Sequence, residues 1–132
     1  MAYLLDTNSV SELIRNPRGL VSARMAQVGE RRVFISIIVA SELRYGAAKR
    51  TAPVLEKKIS DLLSRFVVIP FESPADQFYG ALRAQLESKG TPISANDMLI
   101  AAHALALGYA LVTDNEREFS RIEGLSIENW LR

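Results

Sequence analysis

Short apolar runs alternate with longer helix-like segments along this 132-residue chain, and no other feature limits its fold as much. Strand-like runs are present at residues 2–6, 33–36, 67–70, 109–113 and 125–129. Between them, helix start and stop signals delimit residues 8–15, 20–29, 37–49, 53–66, 73–90, 94–108 and 115–122. Strands that alternate with helices predict an α/β fold with a mainly parallel sheet and helices on both faces.

The composition limits the class of protein. A length of 132 residues predicts one domain over residues 1–132, and the absence of cysteine excludes disulfides and cysteine-based zinc sites. The uncharged stretch MLIAAHALALGYALVT is divided at Gly108 into two parts too short to cross a membrane, so it predicts core. The start of the chain lacks a basic leader, which argues against a signal peptide and favours a cytoplasmic location. Because the net charge is only +1, nucleic-acid binding would depend on local charge.

Two carboxylates follow strand-like runs that are far apart in sequence. Asp6 comes directly after YLL, and Asp114 comes directly after ALVT. Parallel strands joined by right-handed crossovers point their carboxyl ends to one edge of the sheet, where open α/β sheets bind ligands. We therefore expect Asp6 and Asp114 to lie at the same edge.

Each candidate carboxylate also has a structural interpretation. Asp6, Asp97 and Asp114 all stand where a short polar side chain caps a helix, and Ser94 precedes Asp97 at capping-box spacing. Glu42 lies on a partly apolar helical stripe, where a glutamate is unfavourable unless it is paired, for example with a nearby arginine. Taken together, the four carboxylates would repel one another strongly unless a cation bound among them.

The donor set indicates which cation that would be. Oxygen ligands without histidine or cysteine select hard metals, so Mg²⁺ or Mn²⁺ is expected. Such ions retain waters and bind phosphate oxygens, which suits the hydrolysis of a phosphodiester. The residues alone thus predict a hard metal and a phosphodiester, and they leave RNA and DNA equally open.

Four ordered motifs resemble a known family. The segments LLDTNSVSEL, SELRYG, PISANDMLIAAHAL and ALVTDNEREFSRIEGLSIENW are similar to those of the PIN-domain ribonucleases, and most closely to the VapC-type toxins of bacterial toxin–antitoxin pairs. The resemblance implies a three-layer α/β/α sandwich whose acidic pocket binds one or two Mg²⁺ or Mn²⁺ ions and cleaves RNA. By position, the family's first three acidic residues are Asp6, Glu42 and Asp97, and the fourth, variable one is Asp114.

The resemblance also implies supporting residues and partners. Thr113 and Asn115 would orient water or hold a hydrogen bond behind the ligands, and Asn8 would either support Asp6 or cap the first helix. The implied partners are an RNA substrate, with tRNA among the candidates, a cognate antitoxin protein and a second copy of the chain in a homodimer. The antitoxin would place a basic side chain in the acidic pocket, as carboxylates that bind metal also bind arginine.

The expected mechanism is metal-assisted hydrolysis. Asp6 and Asp97 would hold the principal Mg²⁺, with Glu42 and Asp114 completing the pocket directly or through water, and in-line attack would leave a 5′-phosphate and a 3′-hydroxyl. His103 is predicted to be a packed histidine without a catalytic role. Phosphate contacts are open to a set of basic residues, although each one is better interpreted as solvated surface: Arg15, Arg18, Lys49, Arg50, Arg117 and Arg121.

Two rival functions are open at the sequence level. A HAD-type phosphatase also places its nucleophilic Asp after the first strand, but it normally has a second Asp two residues later, where this chain has Asn8. The other rival is a non-catalytic PIN-like module in a DNA-bound regulatory complex, which would have no need for a repulsive acidic cluster. Nucleotide-binding enzymes are disfavoured because neither GxxxxGK[ST] nor GxGxxG occurs.

Overall fold

Five short strands form one wholly parallel sheet in a computed structural model that describes all residues from Met1 to Arg132. The spatial order is β3-β2-β1-β4-β5, so the first strand of the chain is central. The strands are β1 Tyr3–Leu5, β2 Val33–Ser36, β3 Val68–Ile69, β4 Ala110–Val112 and β5 Ile127–Glu128. The predicted parallel α/β architecture is confirmed, and β3 and β5 are shorter than predicted because each is an edge strand paired on one side only.

Seven α-helices connect and cover these strands. They are α1 Thr7–Arg15, α2 Leu20–Val28, α3 Ile37–Arg50, α4 Pro53–Leu63, α5 Ala75–Ser88, α6 Ala95–Leu107 and α7 Glu116–Phe119. Each predicted helix is present, with ends that differ by a few residues from the sequence-based bounds. A single 3₁₀ turn at Glu30–Arg32 was not predicted. None of the helices is both long and apolar enough to cross a membrane.

The core lies on both faces of the sheet and includes helix α6. Leu4, Leu5 and Leu111 are fully buried, as expected for continuous apolar strands covered by helices on both sides. Ala101 and Ala102 in α6 are also fully buried, because alanine lets the helix backbone approach its neighbours closely. The uncharged stretch that contains α6 and β4 is therefore core, as predicted.

Strand register places polar residues together at the carboxyl edge of the sheet. Leu5 in β1 lies opposite Ile35 in β2 and Val112 in β4. The residues that follow these three are therefore level with one another, and all are polar and buried: Asp6, Ser36 and Thr113. Helices α1 and α3 begin at this edge, so it combines strand ends with helix N-termini.

Candidate active site

Asp6 is a buried carboxylate at the centre of the carboxyl edge. Its side chain is only 5% exposed, and its Oδ1 accepts a hydrogen bond of 2.9 Å from the backbone N–H of Ser9, which caps α1. Burial raises the pKa of Asp6, hydrogen bonds from Thr113 and Ser9 oppose this change, and the negative charge of Asp114 adds to it. The capping interpretation is therefore confirmed, and it leaves room for a site role, because one carboxylate has enough lone pairs for a backbone amide and a further ligand.

Asp97 lies in the first turn of α6 and faces three other acidic residues. The Ser94 hydroxyl accepts a hydrogen bond of 3.2 Å from the backbone N–H of Asp97, as predicted for a helix cap. Burial raises the pKa of Asp97, a hydrogen bond from Ser94 lowers it, and the charges of Glu42, Glu118 and Asp6 raise it further. The fold thus brings the first three predicted carboxylates within electrostatic reach of one another.

Glu42 is held by two side chains from different elements. The Thr7 hydroxyl donates a hydrogen bond of 2.6 Å to Oε1 of Glu42, and the Asn96 amide donates one of 3.3 Å to Oε2. Thr7 begins α1 and Asn96 directly precedes Asp97, so these bonds connect Glu42 in α3 to the helices beside Asp6 and Asp97. Glu42 is half-buried and pairs with these neutral donors and not with an arginine.

Asp114 differs from the other three predicted carboxylates. It is exposed, and its Oδ1 accepts a hydrogen bond of 2.9 Å from Nδ2 of Asn129. Its charge raises the pKa of Asp6 but is absent among the groups that affect Asp97. Asp114 therefore borders the acidic edge, and a more inward carboxylate comes from the following helix.

Glu118 is the acidic residue that sequence reasoning missed. It is half-buried, its charge raises the pKa of Asp97, and its Oε2 accepts a hydrogen bond of 2.9 Å from Asn115. The buried Phe119 anchors the single turn of α7 that carries Glu118. The motif NEREF contains the signal, since acidic residues just after β4 must lie near the carboxyl edge, but the rotation of α7 decides which of them turns inward.

Of the three residues expected to support the carboxylates, Thr113 and Asn115 contact acidic residues, whereas Asn8 is exposed. Thr113 is fully buried, hydrogen-bonds to Asp6 and accepts a hydrogen bond of 2.9 Å from the backbone N–H of Asn115. Asn115 in turn orients Glu118, so both residues stand behind the acidic edge as expected. The alternative prediction that Asn8 caps the first helix is wrong, because Asp6 occupies the cap and Asn8 is exposed within α1.

Most of the candidate phosphate-binding residues lie away from this edge. Arg15 ends α1 and pairs with Glu12 at 3.2 Å, while Lys49 and Arg50 end α3, about 10 Å or more along the helix from Glu42. Both helices begin at the carboxyl edge and run away from it, which places their last turns at a distance. Arg117 within α7 and Arg121 just after it are the predicted basic residues nearest the acidic edge in sequence.

The donor chemistry at the edge suits a hard divalent ion that keeps most of its water. The protein has no ready-made group of three Asp, Glu, His or Cys side chains that could hold a metal ion. Mg²⁺ does not require one, because it is commonly held by one or two carboxylates together with waters and a substrate phosphate. The raised pKa values of Asp6 and Asp97 fit such an ion, since a nearby cation would remove the cost of ionising them.

A parallel sheet with an acidic carboxyl edge is compatible with more than one class of hydrolase, and sequence comparison distinguishes between them. The sequence profile of the PIN domain matches residues 3–125, which is nearly the whole chain. The chain belongs to the PIN-domain family. The HAD-type phosphatase interpretation is accordingly not retained.

Within that family, the chain is similar over its full length to VapC ribonucleases. It is 39% identical over 132 residues to Ribonuclease VapC2 of Rickettsia felis and 37% identical over 131 residues to the tRNA(fMet)-specific endonuclease VapC of Salmonella typhimurium, covering 98% of each chain in both alignments. Among solved structures, VapBC2 of Rickettsia felis bound to a promoter DNA fragment contains a chain that superimposes with a TM-score of 0.92 at 38% identity. That alignment covers 98% of this chain and 99% of the other.

Proposed function

We propose that this chain is a metal-dependent endoribonuclease and the toxin of a type II toxin–antitoxin pair, acting in the cytoplasm as one catalytic domain over residues 1–132. The observation that carries the proposal is the convergence of four carboxylates at one edge of the sheet: Asp6, Glu42, Asp97 and Glu118. Burial raises the pKa of Asp6 and of Asp97, and the charges of neighbouring acidic residues raise both further. A cluster of this kind is unfavourable for folding and becomes favourable only when a cation binds. The VapC names of the full-length relatives support the same function.

The metal would be Mg²⁺ or Mn²⁺, and Asp6 and Asp97 would be its principal ligands. Glu42 and Glu118 would contribute directly or through water, and Asp114 would lie at the border of the site. When bound, the ion would supply a water of lowered pKa and neutralise charge on the scissile phosphate. Site residues and metal are both inferred from donor chemistry and position.

The side chains of this protein would prepare the site before the substrate arrives. Ser9 and Thr113 hold the carboxylate of Asp6, and Thr7 and Asn96 hold that of Glu42. Fixed ligands of this kind avoid the cost of reorganising during the reaction. In-line attack of water on the phosphorus atom would expel the 3′-oxygen and leave 5′-phosphate and 3′-hydroxyl ends.

The proposed partners follow from the relatives. The Salmonella typhimurium relative is named as a tRNA(fMet)-specific endonuclease, so tRNA is the first RNA to test. Structures of VapBC from Salmonella typhimurium bound to DNA and of VapBC-1 from Haemophilus influenzae support a cognate antitoxin partner. A homodimer of the toxin completes the proposed assembly.

A role in a DNA-bound complex is a second candidate function. The structural relatives from Rickettsia felis and Salmonella typhimurium were both solved with DNA. This role does not replace catalysis, because a purely structural module has no physical reason to keep buried carboxylates whose pKa values are raised.

The test is cleavage by the purified chain without its antitoxin. A tRNA, a single-stranded RNA and a DNA of the same sequence, each labelled at the 3′ end, are incubated with Mg²⁺, with excess EDTA, and with Mn²⁺ added back. We expect RNA fragments with 5′-phosphate ends only when a divalent ion is present. Equal cleavage in excess EDTA would refute the metal, and cleavage of DNA alone would refute the ribonuclease.

A further inference from the structure

A histidine that the proposed mechanism does not use is buried in the helix that carries Asp97, next to the start of the helix that carries Glu42. His103 in α6 is 2% exposed, and its Nδ1 lies 2.8 Å from Oγ of Ser36, which is fully buried. The ring of Phe71 packs edge-on against the imidazole, with centroids 5.4 Å apart. His103 cannot reach solvent or RNA, so any effect it has on cleavage must act through its neighbours.

The direction of the hydrogen bond between His103 and Ser36 depends on the tautomer of the ring. The ring hydrogen-bonds to the backbone of Pro70, which has no N–H, so the imidazole donates there and its other nitrogen is left to accept. Burial lowers the pKa of His103, which keeps the ring neutral. In the neutral tautomer whose proton is on the other ring nitrogen, Nδ1 accepts the hydroxyl proton of Ser36. Oγ of Ser36 accepts a hydrogen bond of 3.0 Å from the backbone N–H of Ile38.

This chain of hydrogen bonds runs from one carboxylate-bearing helix to the other. Ser36 caps α3, six residues before Glu42, and His103 lies in α6, six residues after Asp97. Ser36 has a single proton, so its bond to His103 determines how its oxygen is presented to the first turn of α3. In an apolar environment a fully satisfied chain of this kind holds one arrangement, because each broken link would leave a buried polar group unpaired.

We propose that His103 is a positioning residue, which acts through Ser36 to fix the start of α3 and thereby the Glu42 carboxylate relative to Asp97. This inference rests on the proposed ribonuclease function. It assigns to His103 no contact with substrate or metal. It predicts that the imidazole affects the turnover of bound RNA and leaves RNA binding nearly unchanged.

The test compares His103→Leu, His103→Asn, Ser36→Ala and the double variant of His103→Leu with Ser36→Ala. In His103→Leu we expect kcat to fall roughly tenfold, as for a lost buried hydrogen bond, with KM for RNA unchanged. The half-saturating Mn²⁺ concentration should rise in the same variant. His103→Asn should recover most of kcat, because its side-chain oxygen can accept the Ser36 proton. The double variant should be no slower than Ser36→Ala, since both changes break one chain.

A core variant away from this chain serves as the control. Ile59→Val removes one buried methyl group from α4 and should lower the melting temperature without changing kcat. If His103→Leu melts lower but cleaves within about twofold of the wild type, His103 only stabilises the fold and the inference is overturned. Additive losses in the double variant, or failure of His103→Asn to recover activity, would overturn it as well.

Two further outcomes keep the test decisive. Should His103→Leu fail to fold, Ser36→Ala is compared with the double variant of Ser36→Ala and His103→Asn, which should cleave equally; a further loss would overturn the inference. A wild-type protein that does not cleave RNA at all would instead contradict the proposed function, so the two failures are distinguishable.

Discussion

Asp6 and Asp114 follow two adjacent strands of one sheet, and yet their environments are opposite. Asp6 is buried, bonded to a backbone amide and has a raised pKa, whereas Asp114 is exposed and bonded to the side chain of Asn129. The cause is an offset of one residue. Leu5 pairs with Val112, so the residue level with Asp6 is Thr113, and Asp114 comes one position later.

This difference shows that strand register, more than proximity to a strand end, decides which carboxylate is buried at the carboxyl edge. Thr113 occupies the inner position after β4 and hydrogen-bonds to Asp6. The second inner carboxylate on that side comes instead from α7, where Glu118 affects Asp97. We therefore expect the functional importance of the acidic residues to follow burial and mutual charge, and not their order in the motif.

The largest expected effect is that of Asp6→Asn on RNA cleavage. Loss of a principal metal ligand should reduce kcat/KM by roughly a thousandfold, since a metal ion supplies several kcal/mol and about 1.4 kcal/mol corresponds to tenfold. Asparagine still caps α1, so the protein should remain folded. Single-turnover cleavage of labelled RNA measures the effect.

The matched control for this variant is Asp76→Asn. Asp76 is an exposed acidic residue in the first turn of α5, so the chemical change is the same and both residues lie at the N-terminal end of a helix. It should cleave RNA at the wild-type rate. Unimpaired cleavage by Asp6→Asn would remove Asp6 from the mechanism, and the difference in burial between Asp6 and Asp114 would then have no functional meaning.

The next largest effect is expected for Glu118→Gln. This substitution removes a negative charge that faces Asp97 and should reduce cleavage by roughly ten- to a hundredfold. The effect is smaller than for Asp6→Asn because Asp6 and Asp97 stay in place. Glu116→Gln is the control on the same helical turn, since Glu116 pairs with Arg132 at 3.3 Å and accepts a hydrogen bond from Asn129. Equal losses in the two variants would mean that α7 contributes only general negative charge.

The sequence was sufficient for the fold because its local signals agree with one another. Ser94 before α6, Pro53 at the start of α4 and Gly108 after α6 delimit helices where the structure has them. The continuous apolar runs of the central strands are buried on both faces, as expected. These features depend on spacing of a few residues, which a sequence displays directly.

The site was only partly predictable because it depends on register and rotation. Asp6, Glu42 and Asp97 were found from their motifs and from the common edge of a parallel sheet. Glu118 was missed since the rotation of a single helical turn is set by how Phe119 packs, which has no local signal. The bonds from Thr7 and Asn96 to Glu42 likewise join residues far apart in sequence.

A smaller effect is expected on stability and its dependence on pH. The pKa of Asp6 is raised in the folded protein above its ordinary value of 3.8, so between these two values the folded state binds more protons than the unfolded state. Its contribution to stability therefore falls as the pH rises through that range and is lowest at neutral pH. Without metal at pH 7, Asp6→Asn should melt roughly 2–5 °C above the wild type.

Thermal melts at several pH values and with added Mg²⁺ measure this effect. The advantage of Asp6→Asn should vanish at low pH, where Asp6 is protonated in the wild type. Mg²⁺ at pH 7 should stabilise the wild type more than the variant, because bound metal compensates the buried charge. A variant that melts below the wild type at pH 7 would show that Asp6 stabilises the fold as an anion even without metal.

The smallest effect is expected for Asp114→Asn, the exposed member of the initial pair. Asparagine can keep the hydrogen bond with Asn129, and the position borders the site, so cleavage should fall less than about threefold. Removing its negative charge lowers the pKa of Asp6, so the acidic limb of the pH–rate profile should move to lower pH. Cleavage measured over a series of pH values that includes the acidic limb tests both statements. A loss as large as that of Asp6→Asn would make Asp114 a direct ligand, and the one-residue offset between β1 and β4 would then have no functional meaning.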